Sequence, residues 1–203
     1  MSKHRYFVLH KPRNMVSQFI SADAVPLLGA IDFPFPEGTH AIGRLDKDSE
    51  GILLLTTNKK VTRLLFEGPV PHRRDYLVMV KNRISAERLR LLQEGVSFIA
   101  ADGLPHHTGP VSVRLVEDPL AEFGIADQRP AHIPSSWLLI SLCEGKYHQV
   151  RKMVSTVHHR CRRLIRVAIE DILLGDMKPG TVIELTEETF FRLLHIDYEA
   201  GTN

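Results

Sequence analysis

Cysteine and tryptophan are scarce in this chain: its 203 residues include two cysteines, Cys143 and Cys161, and a single tryptophan, Trp137. Two cysteines with no Cys-x-x-Cys spacing give no support to a thiolate zinc site or a thioredoxin-like redox pair. A reduced pair of ordinary thiols is the expectation for cytosol. Long apolar runs are missing too. No segment reaches the roughly 20 apolar residues of a membrane span, and Met1 to Tyr6 lacks the apolar core of a secretory signal. The chain therefore reads as cytoplasmic, with no membrane partner. Metal-ligand spacing is absent despite eleven histidines, because His106-His107 and His158-His159 are adjacent and no His-Glu-x-x-His occurs. Neither metal nor cofactor is expected.

Acids are missing in two places. None precedes Asp23, where Lys3, Arg5, Lys11 and Arg13 fall, and none lies between Gly145 and Ile169, where Lys146, Arg151, Lys152, Arg160, Arg162, Arg163 and Arg166 accumulate. The net charge is only +2, so these blocks suggest a basic face rather than a basic protein.

What is present is led by one stretch, Gly43-Arg44-Leu45-Asp46-Lys47-Asp48-Ser49-Glu50-Gly51, followed at once by the apolar run Ile52 to Leu55. A short apolar run bounded by polar turn residues reads as a buried strand, so the charged loop is carried on a rigid element. Asp46-x-Asp48-x-Glu50-Gly51 imitates the start of a calcium loop, but Thr57 stands where that loop needs its bidentate Glu. The paired aspartates also imitate an aspartyl-phosphate phosphotransferase, whose carboxylates follow an apolar strand, as Asp46 does not. On composition alone, a solvated turn is the ordinary reading.

Along the rest of the chain, strands are expected at Arg5–His10, Val16–Ile20, Thr39–Ile42, Ile52–Leu55, Arg73–Lys81, Thr108–Val116, Leu138–Cys143, Arg162–Ile169 and Val182–Leu185. A short helix fits Ala24–Leu28. Others are expected from an Asn58 cap to Glu67, from a Ser85 cap to Gly95, through the segment after Glu144 to Val157, and after Thr186. Glu117–Ser135 reads as a long irregular loop. Many strands with few interleaved helices argue for an α+β fold with a mixed, largely antiparallel sheet and flanking helices. Two closely joined lobes, about 1–72 and 73–203, fit the length.

Three segments in order resemble the motifs of RNA pseudouridine synthases, in the RsuA/RluB/E/F group that acts on ribosomal RNA. They are Gly43-Arg44-Leu45-Asp46-x-Asp48-Ser49-Glu50-Gly51, the strand carrying Tyr76, and Glu144-Gly145-Lys146-Tyr147-His148-Gln149-Val150-Arg151-Lys152-Met153. His10 stands for the usual Asn of the opening motif, and His158 for a usual Gly. The lead-in Ile133 to Trp137 is similar to the large-subunit synthase E subgroup. The resemblance implies the pseudouridine synthase fold as one catalytic domain, without the N-terminal S4 domain of many relatives. It also implies isomerisation of uridine to pseudouridine, at a single site of large-subunit ribosomal RNA, by a monomer. By the same resemblance Asp46 is the nucleophile, Tyr76 contacts the uracil, and Arg151 pairs with Asp46. Arg44, Lys146, His148, Lys152, Arg160 and Arg163 are candidate RNA contacts. Taken singly, Tyr76 is an ordinary strand aromatic and Arg151 an ordinary helix-surface charge. Two other classes stay open: a noncatalytic RNA-binding or ribosome-assembly module on the same fold, and a metal-free hydrolase using Asp46 with Asp48.

Overall fold

A computed structural model describes residues 4–68, 70–127, 130 and 132–198. Its elements run β1 (Tyr6–Lys11), β2 (His40–Ile42), β3 (Glu50–Thr56), α1 (Val61–Glu67) and β4 (Arg74–Lys81). Next come α2 (Ala86–Glu94), β5 (Ser97–Ile99), β6 (Pro105–His107), β7 (Ser112–Val116), α3 (Pro119–Phe123) and β8 (Ser135–Leu142). The chain finishes with α4 (Gln149–Thr156), β9 (Cys161–Ile169), β10 (Ile172–Leu173), β11 (Val182–Leu185) and α5 (Glu187–Leu193). It divides into two compact units, one of residues 1–72 with 168–203 and one of residues 73–167. No helix among the described residues is long and apolar enough to cross a membrane.

In the first unit, β1 lies between β3 and β11 and pairs antiparallel with both; β2 pairs antiparallel with β3. Ile52 to Leu55 of β3 are fully buried, as are Tyr6, Phe7 and Leu9 of β1. Phe7, Leu9, Leu53 and Leu55 form one core with Met15, Leu28 and Ile31, against which Phe19, Phe33 and Phe35 pack. Phe7 meets Phe33 and Phe35 edge to face at 5.5 and 5.8 Å. On α5, Phe190 and Phe191 pack on Tyr6 with centroids 4.7 and 5.4 Å away. The sequence expectation ran the second lobe to residue 203. The contacts instead return 168–203 to the first unit, because β11 completes the β1 edge and α5 covers Tyr6.

In the second unit the strands lie in the order β9, β4, β8, β7. The β4–β8 and β7–β8 pairings are antiparallel, and β5 and β6 form a separate antiparallel hairpin. Ser85 caps α2 by accepting from Arg88 N at 3.3 Å, which removes one orphan donor. Gly95 ends that helix at φ +98°, and a Cβ there would stand 2.1 Å from Gly109 O. Only glycine fits that close approach. The antiparallel pairings and the five helices α1 to α5 agree with the α+β expectation.

Three local expectations fail for physical reasons. Val16–Ile20 is not a strand; its polar groups go to loops, with Val16 N on Pro26 O and the Ser17 hydroxyl on Leu45. The Pro-rich stretch after it gives a 3-10 turn at Leu28–Ala30 rather than a helix at Ala24–Leu28, as prolines remove amide donors. Asn58 does not cap α1. Its amide donates to the hydroxyls of Tyr6 (3.1 Å) and Tyr198 (3.0 Å) while its carbonyl accepts from Lys60 N. Within the irregular segment 117–135, Asp118 caps the short α3 by accepting from Leu120 N and Ala121 N.

Candidate functional site

The Asp46 loop spans β2 and β3 in the first unit, and it is bolted at both ends. Gly43 turns the chain at φ +73°, and a Cβ there would sit 2.6 Å from the ring of Phe66 on α1. Two residues on, Leu45 is buried. Both of its backbone polar groups are held by one hydroxyl: Ser17 Oγ accepts from Leu45 N and donates to Leu45 O, each at 2.9 Å. Past Asp46 the chain closes a turn, Ser49 N donating to Asp46 O at 3.0 Å, with Ser49 Oγ 3.5 Å from Asp46 Oδ2. Lys11 is fully buried. Its ammonium donates to the carbonyls of Pro12 (2.9 Å), Met15 (2.6 Å) and Lys47 (3.4 Å), so it ties the end of β1 to the loop. Asp46 itself is half-buried, and Arg44, Lys47 and Asp48 are exposed. A carboxylate displayed from so fixed a backbone loses little entropy when it meets a substrate.

The second unit holds the other two motif residues. Tyr76 lies on β4 opposite Ile140 of β8 and is 9% exposed. Two residues before it, on the same face of the strand, Arg74 is buried, and its guanidinium passes where a Cβ on Gly145 would be, 3.2 Å away. A side chain at 145 would require that guanidinium to give by a few tenths of an ångström. Glu144 Oε1 accepts from Gln149 Nε2 at 2.5 Å and from His106 Nε2 at 2.9 Å. Gln149 in turn accepts from Lys146 N at 2.7 Å and donates its own backbone N to Lys146 O at 3.0 Å. The 144–149 turn is thus locked by one buried glutamine, and His148 takes the left-handed conformation (φ +55°) to enter α4. On α4, Val150, Met153 and Val154 face the core, which leaves Arg151 and Lys152 half-buried beside them. Arg151 Nη1 lies 3.7 Å from Cys161 Sγ.

Arg44 and Asp46 share one loop of the first unit, whereas Tyr76, Lys146, His148, Arg151, Lys152, Arg160 and Arg163 belong to the second. Lys146 and Arg160 are exposed. Lys152 Nζ donates to Ile99 O at 2.7 Å, and Arg163 Nη1 to Ala126 O at 3.2 Å, beyond α3. Of the N-terminal basic block, Arg13 is exposed and Lys3 lies outside the described residues, while the other two cations are spent on contacts within the protein. Lys11 is internal, and Arg5 is engaged by Glu184 through two contacts of 2.6 Å; the hydrogen bonds from Arg5 hold that carboxyl below its ordinary pKa. Arg166 of the second block is buried as well. Sequence reasoning gave no role to Ser17, His106 and Tyr147, and it assigned Lys11 to a basic face. Ser17 and Leu45 are too far apart in the chain for any local pattern to join them. Tyr147, an aromatic between Lys146 and His148 in an acid-free segment, did carry a signal.

Residues 5–156 match the family profile described as RNA pseudouridylate synthase. A ribosomal large subunit pseudouridine synthase E from Xanthomonas axonopodis pv. citri is 34% identical over 176 residues, covering 85% of this chain and 89% of that protein. A ribosomal small subunit pseudouridine synthase A from Yersinia pestis is 29% identical over 185 residues, covering 91% of this chain and 70% of that protein. Among solved structures, a crystal structure of pseudouridylate synthase matches with a TM-score of 0.72 at 24% identity, over 95% of this chain and 75% of that one. That last likeness concerns the fold.

Proposed function

This chain belongs to the RNA pseudouridylate synthase family, and from that premise we propose that it isomerises a single uridine of large-subunit ribosomal RNA, with Asp46 as nucleophile. The observation that carries the reading is the Asp46 loop: an aspartate presented from a backbone clamped by Ser17 and Lys11, inside the motif that resembles the family's active-site motif.

The chemistry is an exchange of bonds. The C1′–N1 bond breaks, the uracil turns while it stays bound, a C1′–C5 bond forms, and the C5 proton leaves to end on N1. Atoms and electrons balance without redox, so the reaction needs neither metal nor cofactor in principle. A carboxylate that adds to the substrate divides one hard step into two easier ones. Tyr76 lies against the uracil ring and assists removal of the C5 proton. Arg151 is the basic partner of Asp46 in the reaction, its planar guanidinium orienting the carboxylate. The target nucleotide must leave its stack to be reached, and Arg44 fills the gap it leaves. Lys146, His148, Lys152, Arg160 and Arg163 contact the RNA backbone.

Two things support the large subunit as the source of the RNA: the relative at 34% identity is named for it, and the Ile133–Trp137 lead-in resembles that subgroup. Residues 1–203 act as one catalytic domain, a monomer in the cytoplasm. The test is tritium release from RNA labelled at uridine C5, with purified large-subunit RNA, small-subunit RNA and transfer RNA as substrates, followed by mapping of the product. Release from large-subunit RNA at one position is expected. Release only from small-subunit or transfer RNA overturns the substrate, and binding without release from any RNA would favour a noncatalytic assembly module.

A further inference from the structure

Outside the three motif residues, the turn before α4 carries an aromatic pair to which the bond exchange itself assigns no step. Tyr147 and His148 stack with centroids 3.8 Å apart and planes 17° from parallel, and Tyr147 is 62% exposed. The pair sits on the turn whose backbone is locked by Gln149. Lys152 stands beside it, with Nζ 5.9 Å from the Tyr147 ring centroid and 5.6 Å from that of Phe98. The bond from Lys152 to Ile99 O anchors that ammonium to the β5–β6 hairpin. The hairpin adds two exposed apolar side chains, Ile99 (57%) and Leu104 (63%). Lys146 is exposed on the same turn, and the adjacent Glu144 carboxylate is occupied by Gln149 and His106.

We propose that the Tyr147–His148 stack is a platform for one unpaired base of the substrate RNA, a nucleotide other than the uridine that reacts. This rests on the RNA reading above and extends it. A flat, pre-stacked, exposed ring flanked by ammonium groups matches what an unpaired nucleotide offers: a π-face and a phosphate. A duplex hides its base faces, so it has nothing to place on such a ring. The absence of any acid from Gly145 to Ile169 favours a polyanion over a protein surface. The reacting uridine is assigned to Tyr76, which is nearly buried within a strand, whereas Tyr147 stands on an open turn. The platform would therefore read whether a neighbouring nucleotide is unpaired, and so contribute to site selection.

The probe is a short single-stranded RNA carrying one 2-aminopurine, alongside the duplex it forms with its complement. Stacking on Tyr147 should quench the fluorescent base. Tyr147→Ala and Tyr147→Leu should abolish the quench and weaken single-strand binding by about tenfold, with duplex binding unchanged; Tyr147→Trp should keep both quench and affinity. Asp46→Asn should quench as wild type does, because its defect is in turnover. The platform is overturned if Tyr147→Ala and Tyr147→Leu bind and quench like wild type, or if they weaken duplex and single strand equally. The first of those results would leave the patch to a protein partner. Wild-type protein that binds neither RNA would overturn the RNA reading itself, and tritium release by Asp46→Asn would remove the nucleophile while leaving the platform standing.

Discussion

At the scale of single residues, the proposed chemistry turns on charge placed at fixed atoms. Asp46→Asn keeps the shape of the side chain and loses its charge and nucleophilicity. Turnover should fall by on the order of 10²–10⁴-fold or more, with RNA affinity and melting temperature close to wild type; tritium release within tenfold of wild type would end the role given to Asp46. Arg151→Leu should slow catalysis by removing the basic partner proposed for Asp46, and Arg151→Lys should recover part of the rate, since the charge remains while the planar fork is lost. Equal rates for the Leu and Lys variants would strip Arg151 of catalytic meaning. Sequence could single out Asp46 and Arg151 because each lies in a contiguous motif. It could not do so for Ser17 and Lys11. Lys11 looked like a surface cation because sequence shows a charge but not the carbonyls of Pro12, Met15 and Lys47 that allow it to be buried.

Among elements, legibility followed local chemistry. β3 could be read because Ile52–Leu55 is a bounded apolar run, and α2 because Ser85 caps it and Gly95 stops it. β10 is only two residues long and pairs with the end of β9, too short to leave any periodicity. Val16–Ile20 carries strand-forming residues, yet Ser17 is spent on the loop rather than on a neighbouring strand. Ser17→Ala therefore makes a test of the element. It leaves both backbone groups of buried Leu45 without that hydroxyl, a loss of about 1–3 kcal/mol, read as a lower urea midpoint at unchanged slope. The loop should also loosen, so hydrogen exchange at the Leu45 amide should rise. An unchanged exchange rate would show that Lys11, the close approach of Phe66 to Gly43 and the Asp46–Ser49 turn hold the loop without Ser17.

On the scale of the whole molecule, the first unit is closed by a buried tie. The Tyr6 hydroxyl donates to Glu187 on α5 at 2.5 Å and accepts from Asn58, which also donates to Tyr198. Burial, and next the bond to Glu187, push the Tyr6 phenol well above its ordinary pKa. In the unfolded chain that group ionises near about pH 10. A raised folded-state value means that its contribution is complete below about pH 10 and declines as pH climbs toward the folded value. Tyr6→Phe should cost about 1.5–3 kcal/mol at neutral pH and should lose stability less steeply than wild type above about pH 10, as followed by urea unfolding across that range. Parallel slopes for the two proteins would show that the alkaline loss arises elsewhere. The order of the chain adds one consequence. β1 precedes one of its two neighbours, β11, by the whole of the second unit, which is itself a continuous stretch of chain. At a synthesis rate of about 5–20 residues per second, β1 waits about 10–35 s for Val182–Leu185 to emerge. During that wait its apolar edge is open to any other strand in reach. The nascent protein should accordingly complete its second unit first and depend most on chaperones until Val182–Leu185 has emerged.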